Sequence, residues 1–121
     1  MHPNQFILAE TLEWIKLPYD LTAILTTKSS EAREGLQIET ANLIHPRFSG
    51  TVTLELKNNG EVPIKLYPGL TIGQISLLKL NIPIDGNTPI AKSTFPYAVR
   101  PVVATKFKKD LDTLKKFKNF Y

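Results

Sequence analysis

Residues 51–56, Thr51-Val52-Thr53-Leu54-Glu55-Leu56, are the stretch that decides the fold. Their side chains alternate between apolar and polar, which is the two-residue period of a β-strand with one face in a core. Glu55 falls on the polar face of this strand. A carboxylate set inside a strand rich in apolar residues makes Glu55 the first residue to test for chemistry.

Similar short runs lie on both sides of this stretch, at residues 6–9, 21–25, 64–66 and 71–77. All are rich in β-branched and apolar residues, and Gly, Pro and Asn punctuate the chain between them. Short strands at even spacing predict an all-β fold, either a sandwich or a barrel. Residues 29–34 are the exception, because they read as a polar turn of helix.

The C-terminal region changes its period. Phe107, Leu111, Leu114 and Phe117 recur at helical spacing, so we predict a short amphipathic helix over residues 106–119. Before it, residues 81–101 are proline-rich and predict an extended arm. We therefore expect a β core at residues 1–80 and, at 81–121, an arm and basic helix that belong to the same domain.

Composition narrows the class of protein. The chain has 121 residues, enough for one domain, and no cysteine, which excludes disulfides and thiolate metal sites. No apolar run is long enough to span a membrane, and the N-terminus lacks the features of a signal peptide. We therefore predict a cytoplasmic protein that does not associate with a membrane. We also predict no zinc site, because the chain has only two histidines and they are distant in sequence.

The net charge of +4 comes from the C-terminal region. From Lys106 onward there are six lysines and two aspartates, whereas the rest of the chain has nine basic and nine acidic residues. This pattern is typical of the solvated face of a packed helix, and an acidic partner is the alternative. The body shows no basic patch interleaved with aromatic residues, so we predict no nucleic-acid binding.

Two local patterns suggest a site. Lys28, Ser29, Ser30 and Arg33 stand at the start of the predicted helical turn, where free N–H groups and cations favour a phosphate. The alternative is that Ser29 only caps the turn and Arg33 is only solvated. Glu55 likewise has two interpretations: it faces water, or it faces a cleft or subunit interface where partial desolvation suits it to shuttle protons near neutral pH.

Three segments resemble the dCTP deaminase and dUTPase family. Lys28-Ser29-Ser30-Glu31-Ala32-Arg33-Glu34-Gly35-Leu36 matches the family motif K/R-S-S-x-x-R-x-G-L. Phe48-Ser49-Gly50-Thr51-Val52-Thr53-Leu54-Glu55-Leu56 matches F-x-G-x-x-x-L-E-L, and Leu66-Tyr67-Pro68-Gly69-Leu70-Thr71-Ile72-Gly73-Gln74-Ile75 contains P-G-x-x-I-x-Q. The resemblance covers about residues 4–80 and is closer to the deaminases.

The resemblance implies a dUTPase-like β-sandwich or distorted barrel, a homotrimer with shared sites, and zinc-independent deamination of dCTP. By this resemblance Glu55 is the proton-shuttling residue, Ser29 holds the attacking water together with a main-chain carbonyl near Ala41, and Arg33 stabilises charge. Lys28, Ser30 and Gln74 would contact phosphates, and the Thr40-Ala41-Asn42 backbone would read the base. Mg²⁺ would enter with the triphosphate.

Four departures from the family pattern keep other functions open. The family's first strands have no counterpart before residue 4, and the stretch between Gly35 and Thr40 is one residue short. The loop I-D-P-G-F reads Ile44-His45-Pro46-Arg47-Phe48, and the Y-Q-x-Q-x-G-P lid is reduced to Tyr97-Ala98-Val99-Arg100-Pro101. Because His45 replaces the loop aspartate of triphosphate-hydrolysing relatives, dUTP pyrophosphatase is the second hypothesis. A truncated, non-catalytic trimeric module is the third.

Overall fold

A computed structural model of the chain describes residues 1–39 and 41–84. Eight strands and one short helix follow in this order: β1 Phe6–Glu10, β2 Ile15–Lys16, β3 Leu21–Thr27, α1 Ser29–Arg33, β4 Leu36–Ile38, β5 Leu43–Ile44, β6 Ser49–Gly50, β7 Thr53–Asn58 and β8 Gly73–Lys79. The described part of the chain is therefore all-β apart from α1. The predicted arm and the helix at 106–119 lie outside the described residues.

The strands form three antiparallel sheets. One has the order β1-β7-β4, the second pairs β2 with β6, and the third has the order β5-β3-β8. We call the first the β7 sheet and the third the β3 sheet. All five pairings join strands that are not neighbours in sequence, so the fold depends on long-range contacts.

The core lies between the β7 sheet and the β3 sheet. The alternation predicted for the central strand is confirmed, because Leu54 and Leu56 of β7 are buried whereas Thr53, Glu55 and Lys57 are only partly covered. The other buried apolar side chains of the core are Leu17, Ala23, Leu25, Leu36, Ile38, Ile44 and Ile64. Each fully buried leucine contributes roughly 1.5–3 kcal/mol, so this layer accounts for the sandwich.

The strand predicted at residues 64–66 is wrong. Ile64 is buried, but its backbone pairs with the first residue of the chain and not with a sheet. The Ile64 amide donates to the Met1 carbonyl at 2.9 Å, and the Met1 amino group donates to the Ile64 carbonyl at 2.7 Å. The backbone groups that would extend a ladder are used here to hold the N-terminus in place.

Candidate functional site

One end of the β3 sheet brings together two residues of the predicted phosphate site, Lys28 and Gln74. Thr27, the last residue of β3, pairs with Gly73 at the start of β8. The next residue, Lys28, donates its amide to the Ile72 carbonyl at 2.9 Å. Gln74 follows Gly73 directly, so the backbones of Lys28 and Gln74 lie at the same end of this sheet.

Helix α1 begins at this sheet end. The N-cap residue is Lys28, and no side chain caps the helix, so the hypothesis that Ser29 serves only as an N-cap is wrong. Ser29 and Arg33 are exposed and stand four residues apart, which places them on the same side of this single turn. Both side chains are thereby open to a ligand.

Ser30 has a partner that its position in the sequence does not reveal. Its hydroxyl donates to the Glu31 carboxylate at 2.9 Å, in an exposed setting. A phosphate at Ser30 would have to replace this bond and approach a negative charge. Ser30 is therefore the weakest member of the predicted phosphate group, and Lys28 and Arg33 must supply most of the attraction.

Strand β4 follows α1 in the chain and pairs with β7, the strand that carries Glu55. Gly35 makes the turn with φ +97°, a conformation that suits glycine. The Ile38 amide of β4 donates to the Thr27 hydroxyl at 2.7 Å, which ties β4 to the end of β3. The sheet end with α1 and the central strand β7 are thus held in a fixed relation through only three residues of β4.

Glu55 lies on the outer face of the β7 sheet. Its neighbours along β7, Leu54 and Leu56, point into the core, and its partner across the ladder is Leu8 of β1. Residues opposite one another in an antiparallel pair share a face, so Leu8 is the apolar neighbour of Glu55. Glu55 is half-buried.

Glu39 is a carboxylate that the sequence reasoning missed. It follows β4, and its amide donates to the Glu55 carbonyl at 2.8 Å. The β4–β7 register pairs Ile38 with Leu56, so strand alternation places Glu39 beside Glu55 on the outer face. Alternation through Leu36 and Ile38, both buried, could have placed Glu39 on the outer face, but not beside Glu55, because that depends on the register with β7.

The predicted base-reading backbone is only partly described, because Thr40 lies outside the described residues. Ala41 is exposed. The Asn42 carbonyl accepts the Leu25 amide at 2.9 Å and is therefore committed to the β3 sheet. A role for the main-chain carbonyl near Ala41 in holding a water or a base stays a prediction.

The loop at residues 44–48, which departs from the family pattern, is held by contacts of Arg47 with Pro18 and Tyr19. Arg47 adopts φ +64°, a left-handed conformation unusual for a residue with a side chain. Its guanidinium lies 5.3 Å from the centroid of the Tyr19 ring, and its amide donates to the Pro18 carbonyl at 3.2 Å. His45, which stands where the pattern has aspartate, is exposed.

The single chain does not unite the two halves of the predicted site. Among the described residues, the Glu55 carboxylate has no hydrogen bond or ion pair with Ser29 or Arg33. Leu36, which follows α1, pairs with Asn58, and Glu55 lies three residues farther along β7, or about 10 Å at the rise of a strand. The phosphate end and the carboxylate therefore lie on neighbouring but separate surfaces.

The fold and these residues agree with a family comparison. The model of the dCTP deaminase-like family matches residues 1–80. The chain belongs to this family. The match spans β1 to β8 and includes Ser29, Arg33 and Glu55.

Three curated relatives, each described as a dUMP-forming dCTP deaminase, give the extent of the similarity. The protein of Thermobifida fusca is 49% identical over 86 residues, which are 70% of this chain and 44% of that protein. The protein of Streptomyces avermitilis is 50% identical over 86 residues, 70% of this chain and 45% of the relative. The protein of Streptomyces griseus is 48% identical over 98 residues, 80% of this chain and 47% of the relative. The chain spans about half the length of the relatives it matches.

The described residues contain neither a metal-binding cluster nor a membrane-spanning helix. No group of three or more His, Cys, Asp or Glu side chains in residues 1–39 and 41–84 is arranged to hold a metal ion. The described part of the chain also has no helix long and apolar enough to cross a membrane.

Proposed function

We propose that this chain takes part in the zinc-independent deamination of a deoxycytidine nucleotide, dCTP, to the corresponding deoxyuridine nucleotide. The observation that carries the proposal is the placement of Glu55. It is a half-buried carboxylate on the central strand of a dCTP deaminase-like domain, held by β4 in fixed relation to Ser29 and Arg33. The relatives that share this segment are dCTP deaminases.

In the proposed reaction a water is held by the Ser29 hydroxyl and by the main-chain carbonyl near Ala41. The Glu55 carboxylate takes a proton from this water as its oxygen attacks C4 of the cytosine ring, and returns the proton to the ring nitrogen. Glu55 then takes the proton of the C4 hydroxyl and delivers it to N4, so that the tetrahedral adduct collapses: the C4 carbonyl forms, the C4–N4 bond breaks and ammonia leaves. Arg33 stabilises the charge that develops during the addition.

The triphosphate would lie at the end of the β3 sheet. Lys28 and Gln74 are brought there by the β3–β8 ladder, and Arg33 is exposed on the adjoining helix. Mg²⁺ would arrive with the nucleotide, bound by phosphate oxygens and water, and would neutralise part of the phosphate charge.

A homotrimer with shared sites is part of the proposal. Ser29 and Arg33 of one chain are exposed, and Glu55 lies on a separate outer face that also carries Leu8 and the exposed Phe6. A neighbouring chain that covers this face would desolvate Glu55 and bring a second chain's α1 towards it. The apolar side chains beside Glu55 give such a neighbour something to bury.

The test is turnover by the 121-residue chain. Purified protein is incubated with dCTP and Mg²⁺, ammonia release is measured, and the nucleotide product is separated as dUTP or dUMP. We expect ammonia and dUTP, because His45 replaces the aspartate that the family resemblance assigns to triphosphate hydrolysis. Formation of dUMP would instead favour the activity named for the relatives, and binding of dCTP without ammonia release would favour a non-catalytic nucleotide-binding module.

A further inference from the structure

An apolar cleft of about 740 Å³ lies beside β1 and the start of β8. Three separate segments bring large apolar side chains to its opening. Leu12 of the loop after β1 is 76% exposed, Tyr67 of the turn before β8 is 64% exposed, and Ile75 of β8 is 40% exposed. The floor consists of core side chains, namely Leu25, Leu54 and Leu56. An exposed apolar surface that continues into a core marks an interaction site.

The charged side chains of this cleft are acidic. Glu10, at the end of β1, and Glu13, in the loop that follows, are the two charged residues among the described residues that line it. A nucleotide phosphate is disfavoured at such a surface, because like charges repel. The cleft therefore favours an occupant that combines apolar side chains with positive charge.

The cleft borders the proposed phosphate site at Gln74 but opens on the other face of β8. In the β3–β8 ladder Ile75 lies opposite the buried Leu25, whereas Gln74 lies opposite Thr26. Successive residues of a strand point to opposite faces, so the side chains of Ile75 and Gln74 lie on different sides of the sheet. An occupant that covers the face of Ile75 therefore leaves the Gln74 side chain open to a phosphate.

One segment of this chain has the chemistry that the cleft favours. Residues 106–119 contain six lysines and an apolar stripe at helical spacing, consisting of Phe107, Leu111, Leu114 and Phe117. These four positions are i, i+4, i+7 and i+10, which is the pattern of a helix that lies in an apolar groove. No other stretch of the sequence combines a cluster of lysines with such a stripe.

The chain that leads to this segment is long enough to reach the cleft. The Ile84 amide donates to the Tyr19 carbonyl at 3.1 Å, which places the end of the described residues near the Lys79 end of β8. The length of β8, about 20 Å at the rise of a strand, separates this end from the cleft. Residues 85–105 span up to about 70 Å when extended, so the segment can fold back along the sheet.

We propose that residues 106–119 form an amphipathic helix that packs its apolar stripe into the cleft of the same chain. The stripe covers the exposed side chains of Leu12, Tyr67 and Ile75, and lysines beside the stripe lie near Glu10 and Glu13. Apolar surface and charge are thus complementary on the two sides of the contact. The contact does not require that the chain deaminates dCTP.

The test uses the full 121-residue chain with one spin label. Because the chain has no cysteine, Asn119→Cys, which lies off the stripe, supplies a single thiol for a nitroxide. We expect the label to broaden the backbone amide NMR signals of residues 7–13 and 66–75 more strongly than those of Leu21 and Lys79, which pair at the other end of the β3–β8 ladder. Absence of broadening in the cleft, or equal broadening at both ends, would overturn the proposal.

A mixed sample shows which chain supplies the segment. Isotope-labelled chain without a spin label is combined with spin-labelled chain without isotopes, so that any broadening arises between chains. We expect none at the cleft. Broadening in the mixed sample as strong as in the doubly labelled chain would mean that a second copy fills the cleft, and the proposal of a contact within one chain would be wrong.

Leu114→Asp and Thr113→Asp are a matched pair on the segment. Both introduce one carboxylate in the same turn, but only Leu114 belongs to the stripe. A charge placed in an apolar cleft is costly, so Leu114→Asp should reduce the broadening at residues 7–13 and 66–75 roughly 5-fold or more, and Thr113→Asp should leave it within about 2-fold. Equal effects of the two substitutions would show that the stripe does not make the contact.

Leu12→Lys and Val62→Lys are the matched pair on the folded part of the chain. Leu12 lines the cleft, whereas Val62 does not, and both side chains are largely exposed, so both variants should keep the fold. Thermal unfolding checks this. Leu12→Lys should release the segment, because it places a cation in an apolar contact beside a lysine-rich helix, and Val62→Lys should not. Unchanged broadening in Leu12→Lys, or equal loss in both variants, would overturn the proposal.

Discussion

Gly35 and Gly60 approach so closely that no side chain fits between them. A Cβ placed on Gly35 would lie 2.6 Å from the Gly60 nitrogen and 2.7 Å from its Cα. The Asn59 amide, next to Gly60, donates to the Gly35 carbonyl at 2.8 Å. This contact fastens the turn after α1 to the turn after β7, so it helps to set the position of Arg33 relative to Glu55.

Gly35→Ala should therefore destabilise the chain strongly. The new methyl group meets backbone atoms, which cannot rotate away, and the residue has φ +97° in addition. We expect a loss of more than about 3 kcal/mol in the free energy of unfolding, measured by urea denaturation. Gly69→Ala is the matched control, because Gly69 has φ +88° with nothing within 4 Å, and should lose only about 1–2 kcal/mol. Equal losses would show that the contact with Gly60 is unimportant.

Asn58 stabilises the turn after β7 from the protein interior. It is fully buried, its amide nitrogen donates to the carbonyls of Met1 at 3.2 Å and Val62 at 2.9 Å, and its side-chain oxygen accepts the Gly60 amide at 2.9 Å. Asn58→Ala would leave a cavity at a fully buried position and remove a hydrogen-bond partner from three backbone groups. We expect a loss of about 2–4 kcal/mol.

The adjacent Asn59 provides the control for Asn58. Its side chain is exposed and donates to Gln37, so Asn59→Ala should change stability by no more than about 0.5 kcal/mol. Thermal and urea unfolding of both variants, followed by circular dichroism, distinguish them. A loss in Asn59→Ala as large as that in Asn58→Ala would mean that exposure does not separate the two positions.

The long strands and α1 could be predicted from the sequence because their signals are local. Alternation in residues 51–56 predicts the buried and outer faces of β7, and the polar run after Thr27 predicts α1. The observed bounds differ from the predicted ones by up to two residues: the stretch predicted at residues 51–56 forms a strand from Thr53 to Asn58. These shifts reflect pairing partners, since β1 covers β7 only from Thr53 onward.

The short strands β2 and β6, and the position of Glu39 beside Glu55, could not be predicted from local sequence patterns. β2 and β6 have two residues each and exist only because they pair with one another across more than 30 residues of chain. Ile64 has the composition of a strand residue but pairs with Met1. Glu39 gains its place beside Glu55 from the β4–β7 register, which is a long-range property.

Arg33→Ala should weaken binding of dCTP while leaving the fold intact. Arg33 is exposed on α1, and no residue of that helix is buried. Loss of one charge-assisted contact should cost about 1–3 kcal/mol of binding free energy, and Ser29→Ala should cost less. Lys65→Ala, which removes an exposed cation from a segment outside the proposed site, serves as the control. Calorimetric titration with dCTP and Mg²⁺ would contradict the site if Arg33→Ala and Lys65→Ala bound equally well.

Shared sites can be tested by mixing two inactive variants. We expect three copies of the chain by sedimentation at micromolar concentration, and no turnover by either Ser29→Ala or Glu55→Gln alone. If Ser29 of one chain serves Glu55 of its neighbour, random exchange of subunits restores both residues in about one quarter of the sites. Recovery of ammonia release to about that fraction is the expected result. A stable folded monomer, or mixing without recovery, would refute the shared site.

Glu55→Gln should abolish release of ammonia from dCTP while preserving dCTP binding and the trimer. Glutamine keeps the size of the side chain and much of its hydrogen bonding, but it cannot take a proton from water and return it. A general acid–base group contributes about 10²–10⁴-fold to a rate, and the loss should be at least this large because the same group activates the water.

Glu61→Gln, an exposed position in the turn after β7, controls for the change of charge, and its rate should stay within 2-fold of wild type. Glu39→Gln separates the two neighbouring carboxylates, since it should alter the rate far less than Glu55→Gln if Glu55 is the proton shuttle. Initial rates of ammonia release across the three variants, at saturating dCTP, give the comparison. A Glu55→Gln protein as active as wild type would refute the mechanism, because no other change in this set removes a proton acceptor from the centre of β7.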